Sequence, residues 1–211
     1  MSPATKPVLL LLKELNLAYE FRVIRVKRGQ NLTAEYMKKN PAHTLPTLED
    51  EGRYIGDSHA IMAYLVGKYA KNDQLYPKDL YKRAVVDQRL HYENGHMFMM
   101  CVRQVFEPLI AKQIKEVPDE KLQAMLDCYA TLEAFLQYDD YIAGAHLTIA
   151  DFSCVISASC MDVFQRIIPK RFPKLYAWML RMGRLPYFEE VLRDKYSLQV
   201  MKSVDQQMSN L

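Results

Sequence analysis

Apolar positions along the chain change their spacing twice. Behind a Ser2-Pro3 start they crowd into Pro7-Val8-Leu9-Leu10-Leu11-Leu12, which predicts a helix from Pro3 to Leu15 with Pro3 in the permissive first turn. Pro7 sits awkwardly inside it and is expected to bend the helix start. From Tyr19 to Val26 apolar and polar residues alternate through Tyr19, Phe21 and Val23, the period of a strand. Thr33 to Lys39 reads as a short helix that stops at Asn40-Pro41. Thr47-Leu48 and Tyr54-Ile55 read as two short strands around the polar hairpin loop Glu49-Asp50-Glu51-Gly52-Arg53. Asp57 to Tyr69 returns to helical spacing, with Ile61, Tyr64 and Leu65 on one face.

The segment from Asn72 to Asp79 is polar and contains Pro77, as a linker between domains does. Beyond it the spacing is helical throughout, with helices expected at about 80–113, 119–137, 149–165, 173–184 and 187–195. Val85, Val86, Leu90, Met97 and Met100 build the long first helix of that half. The pattern predicts an α/β plus all-α protein: an αβαββα domain over 1–71 and a helical bundle over 79–211. Within the bundle, Thr148 followed by Asp151 has the form of a capping box, with Leu147 and Phe152 placed as its hydrophobic staple. Losing the Asp151 carboxyl should cost about 1 kcal/mol, and more if the box is buried.

Composition narrows the function classes. Half of the 211 residues are hydrophobic, enough for two small domains with cores. The 28 Lys and Arg and 25 Asp and Glu are spread along the chain, and a net charge of +3 is too mild for a nucleic-acid binder. No apolar run approaches the ~20 residues of a membrane span, and the first residues lack the regions of a signal peptide. Cys101, Cys128, Cys154 and Cys160 form no CxxC pair and no Cys/His cluster at zinc spacing, so no metal site is expected. All four sit in apolar helical stretches, as buried free thiols of a reducing compartment such as the cytosol do.

Three places can carry chemistry. In His43-Thr44-Leu45-Pro46-Thr47-Leu48, a cis proline would present the Leu45 N–H and C=O to an extended ligand; a plain loop proline would not. Asp57-Ser58 opens a helix, where free N–H groups and the Ser58 hydroxyl can hold a carboxylate while Asp57 holds an ammonium; a simple N-cap is the alternative. Ser2 heads the first helix, where a hydroxyl and the positive helix end both favour a thiolate; it could equally be a cap or a frayed terminus.

Taken in order, Ser2-Pro3 with Leu9 to Lys13, Asn40 to Leu48 and Asp57-Ser58-His59-Ala60-Ile61 resemble a glutathione transferase. So do Leu75-Tyr76-Pro77-Lys78-Asp79, Asp87-Gln88-Arg89-Leu90-His91, and Tyr141-Ile142-Ala143-Gly144 with Leu147 to Asp151. The likeness extends over nearly the whole chain and is nearest the insect Epsilon class, with Delta next. It implies a thioredoxin-like N-terminal domain, an all-helical C-terminal domain and a cytosolic homodimer. It implies that Ser2 activates the glutathione thiol, that His43 reaches the glycyl end, and that Leu45, before cis Pro46, pairs with the cysteinyl backbone. Asp57 and Ser58 would hold the γ-glutamyl end, and Arg103 would lie near the cleft. Phe98, Cys101, Val102 and Phe106 would form the wall for a small apolar electrophile, with Met97, Met99 and Met100 adding an adaptable surface. The reaction would be detoxifying attack of the thiolate on that electrophile; peroxide reduction or dehydrochlorination by the same thiolate stays open.

Two features depart from the family pattern. The family's first strand precedes the Ser-Pro, and here Met1 stands there, so that strand is expected to be absent, which leaves sheet backbone open. Asn31 stands where Epsilon enzymes often carry His, and can bond a glycyl carboxylate only without charge. The missing strand and the exposed position of Ser2 keep a non-catalytic binder of glutathione or apolar ligands as the alternative.

Overall fold

The computed structural model describes residues 2–192. Helix α1 runs Thr5–Glu14, two residues later than expected from Pro3. Pro7 is its third residue, where a backbone N–H has no helical partner to lose, so it is accommodated inside the helix. Every residue from Lys6 to Leu12 is buried, because α1 lies between α3, α7 and α9. The near-continuous apolar run thus reports a helix covered on all sides rather than one half-exposed face.

After two short 3-10 turns, α2 spans Ala34–Lys39, capped by the Thr33 hydroxyl on the Tyr36 N–H at 3.2 Å. Strands β1 (Thr47–Asp50) and β2 (Arg53–Gly56) pair antiparallel with Leu48 opposite Ile55. Helix α3 (Ser58–Tyr69) packs on the strands, α1 and α7, and buries Ile61, Met62, Leu65 and Val66. Asp50 ties the hairpin to α3: its carboxylate accepts from Lys68 at 2.9 Å, Tyr64 at 2.7 Å and Tyr69 at 2.8 Å. These bonds, led by the one from Lys68, hold its carboxyl down to about 2.

The strand expected over Tyr19–Val26 is not formed. Residues 18–24 make no backbone hydrogen bond among the described residues, and Tyr19, Phe21 and Val23 are exposed. The alternating sequence supplies the strand period, but a strand also needs a neighbour's ladder. Here the link to β1 is one long ion pair, Arg22 Nη1 to Glu49 Oε2 at 3.8 Å. The thioredoxin-like domain therefore carries a two-stranded sheet among the described residues.

The helical half opens with α4 (Leu80–Tyr92), capped by Asp79 on the Lys82 N–H at 2.9 Å. It continues without a break as a π-helix over Glu93–Phe106 and ends in the short α5 (Glu107–Ile110). Helix α6 (Asp119–Phe135), the central α7 (Ile149–Phe164), α8 (Pro173–Gly183) and α9 (Phe188–Leu192) complete the bundle. The last expected helix, 187–195, and the domain limit at 211 extend outside the described residues. No helix among the described residues is long and apolar enough to cross a membrane.

A capping box closes the start of α7. Asp151 is fully buried and accepts four hydrogen bonds: from the Ile142 N–H at 2.8 Å, the Thr148 N–H at 2.9 Å, the Thr148 hydroxyl at 3.0 Å and Trp178 Nε1 at 2.9 Å. Burial pushes its carboxyl up, against the pull of those four donors. The box thus also fixes the 141–148 loop and α8 onto α7.

Candidate active site: a cleft between the sheet and the long helix

One open cleft of about 1510 Å³ runs from the head of α1, past the loop before β1 and the start of α3, to the π-helix. The loop is held by Tyr36, which also lines the cleft, and by Asn40, which does not. The Tyr36 hydroxyl donates to the Thr44 carbonyl at 2.8 Å, and Asn40 Nδ2 donates to the same carbonyl at 3.1 Å. Asn40 Oδ1 accepts from the Ala42 N–H at 3.1 Å, so one amide pins both ends of the turn. Gly56 leaves room for that amide, since a Cβ there would stand 3.0 Å from it. The loop so held carries a cis Leu45-Pro46 bond, as expected, and His43 at φ +46°.

Asn31 lies beside this loop, 8% exposed, with Nδ2 donating to the His43 carbonyl at 3.0 Å. Its Oδ1 has no partner. A buried amide oxygen without a donor is costly, so the site is one bond short of satisfied.

At the start of α3, Asp57 adopts φ +70°, a left-handed conformation that a β-carbon disfavours. Its carboxylate accepts from the His59 N–H at 2.9 Å and the Ala60 N–H at 3.1 Å, which holds the turn and leaves the helix end open to an anion at Ser58. Ser2 stands one turn before α1, with its carbonyl accepting from the Thr5 N–H at 3.0 Å; it is not the cap residue, and it lines the cleft.

The opposite wall is the π-helix. Phe98, Val102 and Phe106 face the cleft, with Arg103 at its rim. Arg103 is paired with Glu107 at 2.8 Å and lies 5.7 Å above the Phe98 ring.

Cys101 is the one expected site residue that the cleft does not include; it is wholly buried. The expected methionine surface is likewise absent from the wall, with Met97 and Met100 buried and Met99 pointing elsewhere to solvent. The cause is the helix pitch. Bonding from i to i+5 widens each turn, so residues four and five apart stack. Phe98, Val102 and Phe106 share the cleft face, while Met97, Cys101 and Val105 share the core face.

Sequence reasoning also missed Tyr36, Asn40 and Glu93. Glu93 is 4% exposed; its carboxylate meets His59 Nε2 at 3.0 Å and accepts from the Ser157 hydroxyl. A single acid between the apolar positions Leu90 and Met97 is the signal that could have found it. Ser153, one turn before Ser157, is buried at the cleft floor with an unpartnered hydroxyl.

The chain's own thiols are poor nucleophiles. Burial pushes Cys101 and Cys154 well up, Cys128 up and Cys160 to about 11. A thiolate acting in this cleft would come from a bound ligand.

Comparison with known proteins agrees with this architecture. Residues 1–73 match the glutathione S-transferase N-terminal domain and residues 95–196 the glutathione S-transferase C-terminal domain. The chain is 37% identical to glutathione S-transferase 1 of Manduca sexta over 191 residues, 90% of this chain and 87% of that protein. It superposes on an epsilon-class glutathione S-transferase of the housefly, Musca domestica, with TM-score 0.93 and 45% identity, covering 98% of this chain and 94% of that one. A glutathione transferase homologue from Drosophila mojavensis, solved with bound glutathione, gives TM-score 0.91 and 41% identity over 98% of this chain and 93% of that one. With two domain matches in order along one chain, and a cleft where those domains meet, the protein belongs to the glutathione S-transferase family.

Proposed function

We propose that this chain is a glutathione transferase that joins the glutathione sulfur to small apolar electrophiles. The observation that carries the reading is the sharing of one cleft by two unlike walls. One wall is polar backbone and short polar side chains; the other is Phe98, Val102 and Phe106. A peptide thiol fits the first and an apolar acceptor the second.

In this reading Asp57 takes the γ-glutamyl ammonium, and the Ser58 N–H and hydroxyl take its carboxylate. Leu45 pairs with the cysteinyl backbone as an added strand. His43 and Asn31 hold the glycyl end, where a donor group of the ligand would satisfy the free Asn31 Oδ1. The Ser2 hydroxyl donates to the sulfur, which lowers the thiol's proton affinity and raises the thiolate fraction. The thiolate attacks the electrophilic carbon; an S–C bond forms and the leaving group departs with the bonding electrons. Arg103 at the rim, now paired with Glu107, offers the tripeptide a guanidinium if it exchanges that partner for a ligand carboxylate. Division into a glutathione domain over 1–71 and a substrate domain from 79 onward, a homodimeric state, a detoxifying role and a cytosolic location belong to the same proposal.

The test is conjugation of a chloronitroarene by the wild type and by Ser2→Ala. Loss of a donor at the developing charge should lower kcat about a hundredfold, with glutathione affinity by calorimetry nearly unchanged. Glutathione binding without any conjugation by the wild type would favour a binding protein instead. No binding at all would remove the proposal.

A further inference from the structure

Residues 25–39 hold Arg25, Lys27, Arg28, Lys38 and Lys39 against the single acid Glu35, a net +4 in a chain of net +3. Lys39 lies 3.6 Å from Glu35. Arg25, Lys27, Arg28 and Lys38 are exposed and have no ion pair among the described residues. The other strongly basic stretch, 166–184, is different. Its Arg166 and Arg181 are paired with Asp162 at 2.7 Å and Asp140 at 2.6 Å, and none of its residues borders the cleft. Arg25, Lys27, Arg28 and Lys39 do border it.

Apolar side chains are interleaved with these cations. Three short elements make the surface: the 3-10 turns Val26–Arg28 and Gln30–Leu32, and α2, which packs on the second turn as that turn packs on the first. Each exposes one large apolar side chain, with Val26 52%, Leu32 56% and Met37 38% exposed. The turns are fixed in shape. The Arg25 N–H donates to Gln30 Oε1 at 2.7 Å, the Thr33 hydroxyl donates to the Gln30 carbonyl at 3.0 Å, and Gly29 takes the left-handed φ of +69° between them. Little ordering remains to be done when this surface meets a partner.

We propose that residues 25–39 are a docking surface for an anionic lipid bilayer. The cations lie on the anionic headgroups, and Val26, Leu32 and Met37 enter the boundary between headgroups and acyl chains. Charge complementarity selects an anionic partner. The form of the surface selects a fluid one: convex turns with separate apolar side chains have no pocket or open strand edge for a folded partner to read. Docking places the mouth of the cleft at the membrane, where an apolar electrophile accumulates. Docking itself stands apart from the transferase reading; delivery of the electrophile to Phe98, Val102 and Phe106 rests on it.

The experiment is cosedimentation of the full chain with vesicles of phosphatidylcholine alone and with about 30% phosphatidylserine, at low and at physiological salt. The wild type should bind the phosphatidylserine vesicles at least tenfold more tightly, and salt should weaken that binding several-fold. Each Lys or Arg at such a surface is worth about fivefold in partitioning, so Lys27→Gln, Arg28→Gln and Lys38→Gln together should weaken it about a hundredfold. Val26→Ser with Leu32→Ser should weaken it about tenfold without changing its salt dependence. Conjugation of the chloronitroarene in vesicle-free buffer should stay within about twofold in both variants. Equal affinity for the two vesicle types, binding indifferent to salt, or full binding by the triple variant would overturn the proposal. So would retention on polyglutamate without affinity for the vesicles, which points to an acidic protein instead. The vesicle comparison on the wild type needs no variant to fold. Vesicle binding without conjugation defeats the transferase reading alone, and conjugation without vesicle binding defeats the docking surface alone.

Discussion

Asp151→Ala strips four donors of their common acceptor. The Thr148 hydroxyl can rotate toward another group, but the Ile142 N–H, the Thr148 N–H and Trp178 Nε1 cannot. Each stranded buried donor costs about 1–3 kcal/mol, and a water entering the vacated space recovers part of that. The sum is about 4 kcal/mol, several times the cost of losing a surface cap and a large share of a typical folding free energy of about 5–15 kcal/mol. For a chain of this length that is a fall of about 12 °C in Tm. Asp151→Asn keeps one acceptor oxygen but turns an NH2 toward a donor, and should cost about half as much. Trp178, the sole tryptophan, is fully buried against Asp151, so its fluorescence reports the same event in thermal and urea unfolding. If the alanine variant melts within about 2 °C of the parent, the claim that these donors depend on one carboxylate is wrong.

Two further outcomes are expected. Asp50 has its carboxyl held down to about 2, below its ordinary value, so its contribution is complete above about pH 4 and is lost as pH falls toward about 2. Acid unfolding followed by NMR of Tyr64 and Tyr69 should therefore shift toward neutral pH in Asp50→Asn; a shift the other way contradicts the sign. Native protein should react with fewer than one equivalent of a thiol-specific disulfide reagent at neutral pH and with four once unfolded, because Cys101, Cys128 and Cys154 are buried and Cys160 is pushed up to about 11. Rapid native labelling of any one of them would refute this.

The parts of the fold legible in sequence are those decided locally. The Thr47–Gly56 hairpin follows from its polar glycine-containing loop, and α3 and α7 follow from Asp57 and from Thr148 with Asp151 at their starts. Tyr19–Val26 failed because alternation specifies which face each residue takes but cannot supply the second strand. Cys101 failed because the expectation assumed 3.6 residues per turn where the helix is wider. The residues proposed to meet a ligand were named from type and order, and all but Cys101 and the methionines line the cleft. Tyr36, Asn40 and Glu93 carry weaker signals: Glu93 is a single acid between apolar helix positions whose partners His59 and Ser157 lie in other elements, while Tyr36 and Asn40 act on the loop a few residues beyond them through bonds that no residue pattern encodes.

The wide-turned stretch Glu93–Phe106 has a consequence for how this cleft can change over time. Deleting one residue inside a helix turns everything beyond it by one residue's rotation, about 100° in an α-helix and less where the turn is wider. A single-codon deletion between Phe98 and Phe106 would thus exchange the aromatic stripe for its neighbours in one step, with the amino acids themselves conserved. Substrate preference in such a lineage can move by length variation, so a sequence comparison that scores only replacements would overlook it.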